Sequence, residues 1–217
     1  MIEAVIFDMD GLLIDSEPLW QEAEMRIFNA VNVPLTQEMT LQTTGLRVDE
    51  VVAHWHKRYP WQEPSQQAVA EQLDAAVIEL VRQRGQPMAG VKEALAVCQA
   101  ADLPIAIASS SPVLLITTVL EKLGIADSIK VIHSAHDETY GKPHPAVYLS
   151  TAKELGVHPD HCLAFEDSAN GVLAAKAAKM VCIAIPEPGL RHDKRFGIAD
   201  TMLHSLRDFT PQMLKDW

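Results

Sequence analysis

A long gap between the first and second strand-like runs of this chain limits what it can fold into. The apolar run Ala4–Phe7 is typical of a buried strand, and the next convincing run, Ile105–Ala108, comes roughly a hundred residues later. Apolar residues in the interval recur at helical spacing, which predicts several amphipathic helices. A helical unit is therefore inserted between the first strand and the rest of the fold.

The rest of the chain alternates strand-like runs with helical segments. Further strands are predicted at Lys130–Ile132, Leu163–Phe165 and Val181–Ile185. The alternation predicts an α/β fold, a doubly wound, Rossmann-like parallel sheet with strand order 3-2-1-4-5. We expect residues 1–14 and 86–217 to form the α/β core and residues 15–85 to form an inserted helical cap domain.

Composition excludes several classes of partner. The 217 residues include 18 Lys and Arg against 29 Asp and Glu, a formal net charge of −11. A surface this acidic repels nucleic acid and anionic lipid, so we expect no nucleic acid and no membrane as partner.

No apolar run is long enough to span a bilayer, and the first residues carry no basic export signal. Cys98, Cys162 and Cys182 are widely separated and fit a reducing compartment, so we expect a cytoplasmic protein. We also expect it to be a monomer.

Two carboxylates directly follow the first predicted strand. Asp8 and Asp10, ahead of Gly11, leave the sheet at the carboxyl end of the strand, which is the edge where open α/β sheets bind ligands. An acid before a glycine-containing turn is also a common way to end a strand. Asp8 and Asp10 are therefore candidate site residues, and the other residues at this edge of the sheet decide between the two interpretations.

Polar residues also follow the second strand. Ser109, Ser110 and Ser111 precede Pro112, which predicts a helix with Ser111 at its N-cap and Pro112 as its first residue. A hydroxyl at a strand end and free N–H groups at a helix start form a cradle for phosphate. A turn and a helix cap alone would account for the same serines.

A single lysine lies in a loop that prolines stiffen, Lys142-Pro143-His144-Pro145. Lysines in loops are usually solvated surface charges. In a chain of net charge −11, however, an anionic substrate needs a local cation. Lys142 is a candidate for that cation.

Two adjacent acids, Glu166 and Asp167, end the fourth predicted strand, and a helix begins at Ser168. Neighbouring carboxylates at the end of a buried strand repel each other and lose hydration unless a cation is near. Mg²⁺ prefers carboxylate oxygens and would relieve this repulsion. A helix N-terminus favours acids through its dipole, but that explains one acid better than two.

The predicted strand order brings these groups together. The first strand lies between the second and the fourth, so Asp8 and Asp10 face Ser109 on one side and Asp167 on the other. We therefore predict one site at the carboxyl edge of the sheet.

These residues together resemble the four motifs of the haloacid dehalogenase (HAD) superfamily. The matching segments are Asp8-Met9-Asp10-Gly11-Leu12-Leu13-Ile14-Asp15-Ser16-Glu17, Ser109, Lys142-Pro143 and Glu166-Asp167-Ser168-x-x-Gly171. The match spans almost the whole chain and includes the position and size of a helical cap. Within the superfamily the chain is similar to the β-phosphoglucomutase-like sugar phosphatases.

The resemblance implies a Mg²⁺-dependent phosphatase that hydrolyses small sugar phosphates through an aspartyl phosphate. The substrates would be hexose or hexitol phosphates of the 2-deoxyglucose 6-phosphate type. Asp8 would be the nucleophile and Asp10 the general acid and base. The metal would be held by Asp8, the Asp10 backbone carbonyl and Asp167, with Glu166 as a ligand or as the partner of a ligand. The substrate would be bound by Asp8, Asp10, Ser109, Ser110 and Lys142.

The resemblance also implies a substrate contact from the cap. Arg47, in a Gly-Leu-Arg loop, matches the position from which related enzymes reach down to the substrate. An exposed arginine at a helix start fits the sequence equally well. Trp20 is a candidate for stacking on a sugar.

Two other functions stay open. A sugar phosphomutase on the same scaffold would pass the phosphoryl group back to a sugar instead of to water. A phosphoacceptor signalling module also uses acids, a hydroxyl, a lysine and Mg²⁺, but it needs neither a cap nor an acid in the role of Asp10. Dehalogenation is disfavoured, because it leaves Asp10 no leaving group to protonate.

Overall fold

The computed structural model describes residues 1–217 and contains one six-stranded sheet. Its strands are β1 (Ala4–Phe7), β2 (Ile105–Ser109), β3 (Val131–Ser134), β4 (Cys162–Glu166), β5 (Val181–Ala184) and β6 (Thr201–Met202). Every pairing is parallel, and the order is β3-β2-β1-β4-β5-β6. The predicted α/β fold and the order of its first five strands are therefore confirmed, and β6 adds a short edge strand.

Eight α-helices accompany the sheet. They are α1 (Glu17–Ala30), α2 (Gln37–Thr40), α3 (Val48–Arg58), α4 (Gln66–Arg84), α5 (Val91–Ala100), α6 (Val113–Leu123), α7 (Ala146–Leu155) and α8 (Ala169–Ala177). The first four follow one another between β1 and α5, and we call residues 17–84 the helical insert. None of the helices has the length and apolar character needed to cross a bilayer.

Helices cover both faces of the sheet, which explains why its four central strands are apolar except for the last residues of β2 and β4. Successive side chains of a strand point to opposite faces. Val5 and Phe7 of β1 accordingly pack with residues of α5 and α6, whereas Ala4 and Ile6 pack with residues of α7 and α8. The central strand is thus buried on both sides, and only its end is free to present polar groups.

The start of α6 differs from the sequence prediction. We predicted Ser111 as the N-cap and Pro112 as the first helical residue, but Pro112 is the N-cap and the helix begins at Val113. The Ser111 hydroxyl accepts no hydrogen bond from the helix; its position is fixed by the hydrogen bond that it donates to Asp10 at 2.7 Å, one residue before the helix cap. At α8 the predicted start is confirmed, since Ser168 is the N-cap and accepts a hydrogen bond from the Gly171 N–H at 3.0 Å.

Two chain segments connect the helical insert to the core, and they run side by side. The Asp15 N–H donates to the Gln86 carbonyl at 2.9 Å, and the Met88 N–H donates to the Leu13 carbonyl at 3.0 Å. This paired connection places the insert above the carboxyl edge of the sheet. We propose residues 15–85 as the extent of this second domain.

Candidate active site

The carboxyl ends of β1, β2 and β4 and the loop before α7 meet around one cavity beneath the helical insert. Residues from both parts of the chain line it: Asp8, Asp10, Glu17, Trp20, Gln21, Glu24, Thr40, Thr43, Thr44, Gly45, Leu46, Val48, Val51, Ser109, Ser110, Ser111, Lys142, Asp167 and Ser168. All of the predicted site residues except Arg47 and Glu166 are among them. The remote motifs of the sequence therefore converge on one place.

Lys142 binds two carboxylates at the centre of the site. Its Nζ lies 2.6 Å from Oδ1 of Asp8 and 2.6 Å from Oε1 of Glu166, and it donates to the Ala108 carbonyl at 3.0 Å. All three ammonium protons are therefore engaged. Burial lowers the pKa of Lys142, but the two ion pairs outweigh burial and raise this pKa above its ordinary value. Lys142 is thus a buried, paired cation and not a surface lysine.

Carboxylates outnumber cations in the cavity. Lys142 is the one cation among the lining residues. Burial raises the pKa of Asp8 to about 8, with Lys142 opposing the increase and Glu166 adding to it. Burial also raises the pKa of Asp167 well above its ordinary value, and the charge of Asp8 adds to this. Both carboxyls therefore resist ionisation unless a further cation joins them.

The acidic residues fit a metal ion. Carboxylate oxygens of Asp8, Glu166 and Asp167 lie within 4.8 Å of one another, and all three side chains are buried. Hard oxygen ligands of this kind suit Mg²⁺. Burial and neighbouring charges raise the pKa values of Asp8 and Asp167. A metal would supply a positive charge that lowers both pKa values and keeps the carboxylates ionised.

Glu166 is already occupied by protein donors. Its Oε1 accepts hydrogen bonds from Lys142 and from the Tyr148 hydroxyl, and its Oε2 accepts from the Ser168 hydroxyl at 3.3 Å. Of the two adjacent acids, Asp167 is the one that lines the cavity. This arrangement favours Glu166 as the residue that orients Lys142, and Asp8 and Asp167 as the carboxylates available to a metal.

The close approach of the chain to Asp167 requires the glycine that follows Asp10. Gly11 has a φ of +72°, a conformation that residues with a side chain rarely adopt. A Cβ atom at this position would also collide with the Asp167 carboxylate. The chain after β1 can therefore turn beside Asp167 only with glycine here.

Three donors hold the Asp10 side chain. The Ser16 hydroxyl (2.7 Å) and the Trp20 indole N–H (2.9 Å) donate to Oδ1. The Ser111 hydroxyl donates to Oδ2 at 2.7 Å. These donors come from the segment before α1, from α1 and from the loop after β2, so the insert and the core together fix the carboxylate.

The serines after β2 have different partners. Ser109 lies in β2 and its Oγ accepts a hydrogen bond from the Ser111 N–H at 3.1 Å. The hydroxyl of Ser110 donates to the Gly45 carbonyl of the helical insert at 3.0 Å. Both residues line the cavity. That they bind phosphate oxygens stays a prediction.

Arg47 lies outside the cavity. Its Nη1 donates to the carbonyls of Ala135 and Glu138 at 3.0 and 2.8 Å, and its Nη2 pairs with Asp49 at 2.8 Å. The guanidinium thus joins the start of α3 to the loop that leads to Lys142. In this arrangement it contacts the core and not the substrate space, so the substrate contact implied by the sequence receives no support.

The fold and the site define a haloacid dehalogenase-like hydrolase. The model of that family matches residues 2–179, and the chain belongs to the family. Hexitol phosphatase B of Escherichia coli (strain K12) is 45% identical over 214 residues, which cover 98% of this chain and 96% of that protein. Phosphorylated carbohydrates phosphatase of Thermotoga maritima is 32% identical over 190 residues, 82% of each chain. The chain is a phosphatase of this family.

A solved structure supports the architecture independently. β-Phosphoglucomutase from Clostridium difficile superposes with a TM-score of 0.88 and covers 100% of this chain and 96% of its own. The two sequences are 23% identical, so this likeness concerns the fold, including the parallel sheet and the helical insert.

Proposed function

We propose that the protein is a Mg²⁺-dependent phosphatase of small sugar phosphates, hexose or hexitol monophosphates, that works through an aspartyl phosphate. The observation that carries the proposal is the placement of Asp8 beside Lys142, with Asp10 held by three donors across the same cavity. The names of the two relatives, a hexitol phosphatase and a phosphorylated-carbohydrate phosphatase, support the substrate class.

Asp8 is the nucleophile in this proposal. Lys142 holds Oδ1, so Oδ2 is the oxygen that attacks phosphorus in line with the leaving sugar oxygen. The P–O bond to the sugar breaks as the bond to Asp8 forms, and water later cleaves the aspartyl phosphate. One difficult hydrolysis is thereby divided into two easier steps.

Asp10 moves the protons. It donates a proton to the departing sugar oxygen and then removes one from the water that attacks the aspartyl phosphate. The Trp20 N–H can only donate, so Oδ1 remains an acceptor, whereas the Ser111 hydroxyl at Oδ2 can either donate or accept. We therefore assign the transferable proton to Oδ2.

Asp8 and Asp167, with the backbone carbonyl of Asp10, would hold Mg²⁺. When bound, the ion neutralises the charge shared by the anionic nucleophile and the phosphate. Lys142 and Glu166 keep Asp8 oriented. Ser109 and Ser110 lie where they can bind phosphate oxygens.

The charge of the cavity favours hydrolysis over mutase chemistry. A phosphomutase that returns the phosphoryl group to a second hydroxyl must hold a sugar bisphosphate, which has an anionic group at each end. Lys142 is the one cation of the cavity and lies at the nucleophile, so the leaving-group end has no positive charge for a second phosphate. A signalling module is also disfavoured, because an acid held above the nucleophile promotes rapid loss of the acyl phosphate.

A Mg²⁺-dependent screen of hexose, hexitol and pentose phosphates tests the proposal. We expect steady release of inorganic phosphate from hexose or hexitol monophosphates, and none from Asp8→Asn. Conversion of a hexose 1-phosphate into its isomer without phosphate release would identify a mutase instead. A stable phosphoprotein that does not turn over would identify a signalling module. The three cysteines are buried and free, as is usual in a reducing compartment, and we also propose that the enzyme works in the cytoplasm.

A further inference from the structure

Glu24 is a buried carboxyl group on the wall of the cavity for which the mechanism has no use. It lies in α1, is 7% exposed, and lines the same cavity as Asp8 and Asp10. Its Oε2 is buried without any hydrogen-bond partner. A buried carboxyl oxygen without a partner costs the fold the hydrogen bonds that water would have made to it. No interaction within the protein compensates this loss, which points to a ligand that completes the hydrogen bond.

The position of Glu24 along α1 shows which part of a ligand it can meet. Trp20 on the same helix donates to Asp10, which marks the oxygen that leaves phosphorus. Glu24 follows four residues later on the same face, about 6 Å further along the helix axis. That distance is comparable to the length of an open six-carbon chain. Glu24 therefore faces the end of the substrate that is remote from the phosphate.

The surroundings of Glu24 suit hydroxyl groups. Gln21, Thr40 and Thr43 line the same cavity and offer amide and hydroxyl groups, and the one cation of the cavity, Lys142, is paired with Asp8. Burial raises the pKa of Glu24 to about 8, with the charge of Glu17 adding to the increase. The protonated carboxyl can both donate and accept, as a hydroxyl can.

On the basis of the function proposed above, we propose that Glu24 is the specificity residue of this phosphatase and that its carboxyl group binds the terminal hydroxyls of a polyol phosphate. A substrate that presents such hydroxyls satisfies the unpartnered Oε2, whereas one that is short or apolar leaves it unpaired. A site built to bond hydroxyls discriminates strongly against analogues that lack them. Glu24 takes no part in the transfer of the phosphoryl group.

The test compares two substrates on four proteins. Glucitol 6-phosphate presents a full polyol chain, and p-nitrophenyl phosphate presents no hydroxyl. The proteins are the wild type, Glu24→Leu, Glu24→Gln and the control Glu22→Leu, which alters an exposed residue of the same helix. Mg²⁺ is saturating throughout, and thermal unfolding checks that each variant is folded.

We expect Glu24→Leu to lower kcat/KM for glucitol 6-phosphate about tenfold or more, the effect of one unmade hydrogen bond to a buried group, and to change that for p-nitrophenyl phosphate by less than about threefold. Glu24→Gln keeps a hydrogen-bonding amide and should retain most of the wild-type value, and Glu22→Leu should behave as the wild type. If Glu24→Leu does not fold, Glu24→Ala replaces it in the same comparison.

Two results would overturn the assignment of Glu24 alone: an equal loss on both substrates, or no loss on glucitol 6-phosphate. A wild-type enzyme that hydrolyses p-nitrophenyl phosphate but no hexitol phosphate would overturn the proposed substrate class and the assignment together. The two failures are therefore distinguishable by the activity of the wild type.

Discussion

The ammonium group of Lys142 lies 2.6 Å from Oδ1 of Asp8, although 134 residues separate the two in the chain. This ion pair links β1 to the loop before α7, and Lys142 is 2% exposed. In the same position Lys142 also binds Glu166 at 2.6 Å. One side chain therefore orients the proposed nucleophile and stabilises two buried carboxylates.

Replacing Lys142 should affect stability and activity together. Lys142→Met leaves Asp8 and Glu166 buried without their cation, and loss of one partner of a buried pair costs about 3–5 kcal/mol. We expect a matching decrease in the free energy of unfolding, measured in urea without Mg²⁺, and loss of measurable turnover. Lys153→Met, on an exposed part of α7, is the control. Unchanged stability of Lys142→Met would contradict the role of the ion pair.

Ser111 and Ser110 are neighbours with different partners, and their variants should differ. Ser111→Ala removes the donor to Oδ2 of Asp10, so we expect kcat to fall about 10- to 100-fold, less than the roughly 100- to 10,000-fold loss expected from removing Asp10 itself. Ser110→Ala removes a hydroxyl that bonds the Gly45 carbonyl, and it should leave kcat within about threefold while raising KM. Steady-state kinetics on a sugar phosphate measure both. Equal kcat values for the two variants would argue against the assignment of the proton to Oδ2.

Arg47 should act through closure of the helical insert. The cavity measures about 60 Å³, which holds a few waters at roughly 10–15 Å³ each, so the insert must move to admit a sugar phosphate. Arg47→Ala removes the bonds to the Ala135 and Glu138 carbonyls that hold the insert against the core. We expect KM to rise by a similar factor for a sugar phosphate and for p-nitrophenyl phosphate. A rise confined to the sugar phosphate would instead indicate that Arg47 contacts the sugar.

The carboxyl of Glu24 gives a prediction about pH and stability. Its pKa is raised from 4.5 to about 8 in the folded protein, so the folded state retains a proton that the unfolded state releases, and stability falls as pH rises between these values. Below the lower value both states are protonated and Glu24 contributes nothing.

Glu24→Gln cannot ionise and should escape this loss. At about 1.4 kcal/mol per pKa unit, a pKa raised from 4.5 to about 8 makes the variant roughly 4–5 kcal/mol more stable than the wild type near pH 8 and equal to it near pH 4. Chemical unfolding of both proteins at several pH values measures the difference. A difference that does not vary with pH would show that Glu24 keeps an ordinary pKa.

The strand order and the meeting of the motifs were predictable from sequence because they depend on local patterns. Buried parallel strands appear as apolar runs, and the acids and hydroxyls at their ends must then share one edge. Strand β6 was not predictable, because Thr201 and Met202 are only two residues and are partly exposed.

Side-chain partnerships were not predictable in the same way. Asp10 receives hydrogen bonds from Ser16, Trp20 and Ser111, and only the folded chain shows that these three converge. From the sequence, the Ser111 side chain was expected to cap helix α6. In the folded protein Pro112 is the N-cap, and the Ser111 hydroxyl donates to Asp10 from a distant part of the chain. Arg47 likewise binds carbonyls that lie about 90 residues away in the chain.

Capture of the covalent intermediate is the decisive experiment for the aspartyl-phosphate mechanism. In Asp10→Asn the water step lacks its base, while p-nitrophenolate leaves without an acid, so the reaction should stop after one turnover. Rapid acid quench followed by mass spectrometry should then find one equivalent of p-nitrophenol released and the phosphoryl group on the peptide that contains Asp8. Two results would contradict the role of Asp8 as the nucleophile. One is release of the p-nitrophenol with free phosphate and no modified peptide, and the other is a phosphoryl group on another residue.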